Sequence, residues 1–191
     1  VIGLARVLVI GAGNEIMGND GIGLAVIERI NKLKLSPQVK TMVMGTDCWS
    51  VLNEAVQYEL IIIVDAVSTG GKEGEVYFFP AQELDPTPRP YSLHDFTWVD
   101  LFRLTGLLKR TFVFGVETNT LNLGTEISPY LWKKMDDFAA KLYKILTLAA
   151  GPTGKNALEF SRVFREGQIN MEGYSGHKNP GNEIMNHSDF I

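Results

Sequence analysis

A chain of 191 residues that is 45% hydrophobic and 21% charged holds enough apolar material for one well-filled domain core, and its net charge of −4 gives no electrostatic basis for binding nucleic acid. No apolar run reaches the roughly twenty residues that a bilayer span requires, so no membrane insertion is expected, and no cleavable leader pattern surrounds the apolar run after Arg6. The single cysteine, Cys48, excludes an internal disulfide, fits a reducing cytoplasm and reads as a small buried side chain.

Apolar strands alternate with helical patterns along the chain, the rhythm of an α/β fold. Val7 to Ile10 is continuously apolar, as a strand buried on both faces should be. Gly11-Ala12-Gly13-Asn14 then opens a glycine-rich turn that runs through Asn19-Asp20-Gly21 into a helix, where Ile22, Ala25, Val26, Ile30 and Leu33 recur at helical spacing. Val39 to Met44 reads as a second strand, followed by a helix from near Asp47 that carries Val51, Leu52, Ala55 and Val56 on one face. Leu60 to Val64 is a third strand, with Asp65 at its carboxyl end, and Glu75 to Phe79 is a further strand closed by Pro80. Three prolines within residues 86–90 make a stiff segment that delivers His94 to the start of another helix, whose apolar face uses Val99, Phe102, Leu104 and Leu107 or Leu108. Thr111 to Val116 is the next strand, and Pro129 starts a last long helix with Met135, Phe138, Leu142, Ile145 and Ala149 along its buried side. The domain is placed at residues 1–150 and a polar C-terminal extension at 151–191, where His177 and His187 lack the spacing of a metal site.

Two kinds of chemistry suggest themselves. The glycine turn invites a dinucleotide, but the third glycine of that fingerprint would fall on Ile16, and Asp20 puts negative charge where phosphate would sit. The alternative is a metal. If the first and third strands are parallel neighbours, Asp20, Asp65 and His94 arrive at one edge of the sheet, and two carboxylates with one imidazole can hold a divalent transition metal while leaving coordination positions open. Each residue also has a structural alternative: Asp20 as the cap of the first helix, Asp65 as the closure of an Asx-turn with Ala66 and Val67, His94 as a helix cap or the acceptor of a loop hydrogen bond.

The glycine turn with Asn19-Asp20-Gly21-Ile22-Gly23, the strand around Asp65, Ser92-Leu93-His94 and Gly115-Val116-Glu117 together resemble the hydrogenase maturation endopeptidases over roughly residues 5 to 150. The resemblance implies a three-layer α/β/α sandwich around a mostly parallel sheet, and an endopeptidase that removes the C-terminal extension of a nickel-loaded nickel-iron hydrogenase large-subunit precursor. It also implies that Asp20, Asp65 and His94 are the catalytic and metal-contacting residues, with nickel supplied by the precursor and other divalent metals able to substitute. One departure is visible: where the family has an Asp-Gly-Gly-Thr-like turn after the second strand, this chain reads Met44-Gly45-Thr46-Asp47. Two other functions fit parts of the pattern, a non-cleaving nickel-sensing chaperone for the same precursor and a nucleotide-binding α/β enzyme.

Because residues 165–191 are polar, with four glycines and few branched aliphatics, deletion after Arg165 should lower the melting temperature by no more than a few degrees, as for a loss of about 1 kcal/mol or less. A fall of about ten degrees in calorimetry would show that this segment packs on the domain.

Overall fold

A computed structural model describes residues 5–14, 16, 18–45, 47–84, 97–118 and 126–151. Five strands, β1 (Val7–Ala12), β2 (Val39–Met44), β3 (Leu60–Val67), β4 (Val76–Pro80) and β5 (Thr111–Glu117), form one sheet in the order β2-β1-β3-β5-β4. The first four of that order run parallel and β4 pairs antiparallel with β5. β1 and β3 are direct neighbours, with Val7 opposite Leu60 and Gly11 opposite Val64. Every residue of β1, β3 and β5 is buried, which is what their unbroken apolar sequences require of central parallel strands.

Alternation along the strands divides this apolar surface into two cores. Val9, Ile62, Val64, Phe112, Phe114 and Val116 face α1 (Ile22–Ile30), α4 (Pro129–Lys133) and α5 (Met135–Ala149). Leu8, Ile10, Ile61, Ile63 and Val113 face α2 (Leu52–Ala55), α3 (Trp98–Leu104) and the short 3-10 turns that precede β5 and α2. The result is the expected α/β/α sandwich. Each fully buried branched or aromatic side chain contributes about 2 kcal/mol of transfer free energy, so the sheet with its two faces is the main source of stability.

Several helical details differ from the sequence reading. The helix after β2 is a 3-10 turn, Cys48–Val51, followed by the single α-turn of α2, so that Val51 and Ala55 are buried while Val56, beyond the helix end, is exposed. The last helix is two. Lys134 (φ −92°, ψ 0°) breaks it, letting Leu131 and Met135 both enter the core while the Lys134 ammonium lies 4.9 Å from the centre of the Tyr130 ring. Leu33 lies beyond the end of α1 and is exposed, and Leu104 ends α3 with its side chain in solvent, because the chain turns away immediately through Gly106 in the left-handed region (φ +75°). Cys48 is free and buried, as expected. The proline-rich segment, His94, His177 and His187 lie outside the described residues.

A tight junction between helix and sheet is at Gly23, in the first turn of α1. A Cβ there would come within 2.2 Å of both the Ala12 and the Val64 carbonyl oxygens, at the end of β1 and in the carboxyl half of β3. Gly23→Ala should therefore cost about 2 kcal/mol or more, since the obstruction is backbone on both sides. The matched control is Gly45→Ala, where nothing lies within 4 Å of the new methyl group. Urea unfolding should separate the two variants clearly; equal stabilities would mean that the approach of α1 to the sheet is loose.

Candidate functional site

The helix-to-sheet contact at Gly23 sets down the preceding residues on the carboxyl edge of the sheet. They form a 3-10 turn, Gly18–Gly21, that buries Asp20. Gly13 makes this possible: its φ of +133° suits glycine, and a Cβ would strike the Asp20 carbonyl oxygen at 1.9 Å. The Asn14 backbone N–H donates to the Asp20 carboxylate, and Asn19 Oδ1 accepts from the Ser128 N–H at 2.8 Å, tying the turn to the start of α4. Asp20 does not cap α1. The N-cap is Gly21, without a side-chain bond, and Asp20 Oδ1 is buried with no hydrogen-bond partner among the described residues. A buried carboxylate oxygen left in this state costs about 1–3 kcal/mol, a cost that a ligand would remove.

Asp65 sits inside β3, two residues before its end, on the face that looks toward α3. Opposite it in β5 stands Gly115, which has no side chain. Asp65 is also buried, and both its oxygens accept a bond: Oδ1 from the Ala66 N–H at 2.9 Å and Oδ2 from the Trp98 Nε1–H at 3.2 Å. The Ala66 bond, to the very next residue, is not the Asx-turn anticipated from sequence, which closes on the N–H two residues on; it orients the carboxylate instead.

Burial first, and the neighbouring Asp20 charge second, push the Asp65 carboxyl up to about 8 against the pull of the Trp98 and Ala66 donors. Burial likewise raises Asp20 above the usual carboxylate range. An acid raised to about 8 by burial and a neighbouring carboxylate still holds its proton near neutrality. Among the described residues no group of three metal-binding side chains is complete. The structure brings Asp20 and Asp65 together; His94, the third expected ligand, falls outside the described residues.

Trp98 escaped the sequence reading altogether, while Glu117 and Asp47 entered it only as parts of longer segments. Trp98 carries no motif of its own, although Thr97-x-x-Asp100 spells a capping box whose Thr97 N–H and Oγ1 donate to Asp100 Oδ2 at 3.1 and 2.9 Å. Glu117, at the end of β5, is fully buried and is held by the Thr69 N–H at 2.9 Å and the Thr69 hydroxyl at 2.6 Å, which fixes the loop after β3. Asp47, in the divergent turn after β2, accepts from the Trp49 N–H at 3.0 Å and so starts the 3-10 turn that follows.

An α/β/α sandwich centred on parallel strands, with two acids at the carboxyl edge of its sheet, places this site where such folds bind their ligands. The chain belongs to the hydrogenase maturation protease family, whose HycI model matches residues 24–145, a stretch that includes Asp65 and begins just after Asp20. It is 30% identical over 88 residues to MJ0253 of Methanocaldococcus jannaschii, provisionally named a hydrogenase maturation protease; the match covers 45% of this chain and 56% of that protein, so the chain spans about half the length of this curated relative. Among solved structures, it is similar to the NiFe hydrogenase maturation protease HybD from Thermococcus kodakarensis, with 30% identity, a TM-score of 0.53, and coverage of 72% of this chain and 99% of that one. The hydrogenase maturating endopeptidase HybD from E. coli shares the fold, with 22% identity, a TM-score of 0.60, and coverage of 75% and 91%. Among the described residues no helix is long and apolar enough to cross a membrane.

The carboxylate pair makes a prediction about stability. Asp65 binds its proton more tightly folded, near pH 8, than unfolded, near 3.8, so the folded state holds more protons in that window and the metal-free protein loses stability as pH rises through it. Asp65→Asn removes this dependence. Its melting temperature should match the parent at pH 4 and exceed it by about 5 °C or more at pH 8, the scale of about 2 kcal/mol. Parallel pH profiles in calorimetry would place the Asp65 proton elsewhere.

Proposed function

We propose that this protein is a cytoplasmic endopeptidase that removes the C-terminal extension of a nickel-loaded nickel-iron hydrogenase large-subunit precursor. The observation that carries the reading is the buried Asp20–Asp65 pair, with one carboxylate oxygen unsatisfied among the described residues, at the edge of the sheet in a member of the hydrogenase maturation protease family. Asp20, Asp65 and His94 are proposed to contact the nickel that the precursor brings. Two hard carboxylate donors and one imidazole suit a divalent first-row metal and leave positions for the precursor's own ligands.

Such a site would act as a checkpoint. A precursor without metal meets a protonated Asp65 beside Asp20, and nothing displaces that proton. A nickel-loaded precursor offers a cation whose field favours loss of the proton, converting the pair into a dianionic ligand set that seats the scissile peptide beside the metal. There the divalent ion can polarise the carbonyl or lower the pKa of a bound water. The deprotonated carboxylates then serve to orient the attacking water and to take up its proton. The single cysteine supports the cytoplasmic placement.

The test uses the nickel-loaded precursor with Asp20→Asn, Asp65→Asn and His94→Ala, following loss of the C-terminal peptide by mass spectrometry with circular dichroism as the folding control. All three should fold and lose processing by about a hundredfold or more, since an amide is a poor ligand for a divalent cation and no base. Folded variants that process at the parent rate would overturn the assignment. In the free protein, Cd²⁺ or Ni²⁺ should bind weakly at one site per chain, more tightly at pH 8 than at pH 6 as the Asp65 proton is released, and His94→Ala should abolish that binding.

A further inference from the structure

Of the chain's three tryptophans, Trp49 and Trp132 are largely exposed, whereas Trp98 is buried. Its ring is fixed from two directions. Thr97, immediately before it, is clamped by Asp100, which also pairs with Arg103 at 3.5 Å. The indole itself packs edge-on against Phe102, a fully buried side chain one turn along α3, with ring centres 5.8 Å apart and planes at 77°. That leaves the Nε1–H aimed at Asp65 Oδ2, 3.2 Å away, while the Ala66 N–H holds Oδ1.

The geometry points to Trp98 as a positioning residue for the metal-contacting acid: its indole N–H fixes the rotation of the Asp65 carboxylate and so decides which lone pairs face Asp20 and an incoming cation. This inference rests on the reading of Asp65 as a ligand. With one donor on each oxygen, the carboxylate cannot turn about its terminal bond without breaking both. The choice of tryptophan has a chemical logic. Indole N–H is a donor only; it neither accepts a proton nor ligates a metal, so it holds the acid without competing for the ion, as a histidine, hydroxyl or water at the same place would. Partners of this kind behind a metal ligand typically govern about tenfold or more in affinity.

The test separates the N–H from the ring. In a Trp49→Phe, Trp132→Phe background, Trp98 is replaced biosynthetically by β-(3-benzothienyl)alanine, which keeps the bicyclic shape but has sulfur in place of N–H; Trp98→Phe is the second variant. Calorimetric titration with Cd²⁺ alone, the kcat and KM for nickel-loaded precursor, and the melting temperature are measured for each. The expected result is Cd²⁺ binding about tenfold weaker and a kcat about tenfold lower in the benzothienyl protein, with its melting temperature within a few degrees of the parent. A benzothienyl protein that binds and cleaves like its parent overturns the role of the N–H, and if Trp98→Phe alone is impaired, the tryptophan serves packing only. A parent that neither binds Cd²⁺ nor cleaves overturns the ligand reading of Asp65 itself, and this inference with it.

Discussion

The constraint on which the site depends is the approach of the first turn of α1 to the end of β1 and the carboxyl half of β3, where any side chain at Gly23 would collide with two backbone carbonyl oxygens. That contact fixes the distance between helix and sheet. It draws Ile22, Val26 and Ile30 into the core and sets the preceding 3-10 turn over the strand ends, so that Asp20 and Asp65, forty-five residues apart in sequence, share one electrostatic environment. The glycines that first suggest a nucleotide loop are thus accounted for by packing: Gly11 and Gly23 admit the helix, and Gly13 admits the Asp20 backbone.

The site that results runs against stability. Two neighbouring buried acids, one with an oxygen unpartnered among the described residues, are retained at a cost that the apolar sheet on either side can absorb, since β3 alone buries Leu60, Ile61, Ile62, Ile63 and Val64 completely. The donors from Ala66 and Trp98 offset part of that cost for Asp65, whereas among the described residues Asp20 receives the Asn14 N–H alone. The asymmetry leaves Asp20 as the acid with most to gain from a cation.

Much of this was legible in the residues. Continuous apolar runs identified β1, β3 and β5 because burial on both faces leaves no other composition open, and the acids at or after strands 1 and 3 followed from the ligand-binding edge of parallel sheets. Less legible was whatever depends on the end of an element. Leu33, Val56 and Leu104 fit a helical period but fall at or beyond the last turn, where periodicity no longer sets direction. Trp98 was invisible as a partner of Asp65, because a tryptophan at the start of an apolar helix face reads as core, and its N–H acquires meaning only once β3 and α3 are packed together.

The strand order carries a consequence for how the chain is made. β4 leaves β3 and takes the sheet's far edge, and the position between them stays empty until β5, the later segment, fills it. A ribosome therefore releases β4 before the strand it must pair with. Until residues 111–117 emerge, Phe78 and Phe79 have no β5 backbone beside them, and Phe112, which will stack on Phe78 at 5.3 Å, has yet to be made. Pairing by insertion of a late strand is slow and exposes edges, so the growing protein passes through a stage in which its own half-built sheet is a target for chaperones or for neighbouring chains.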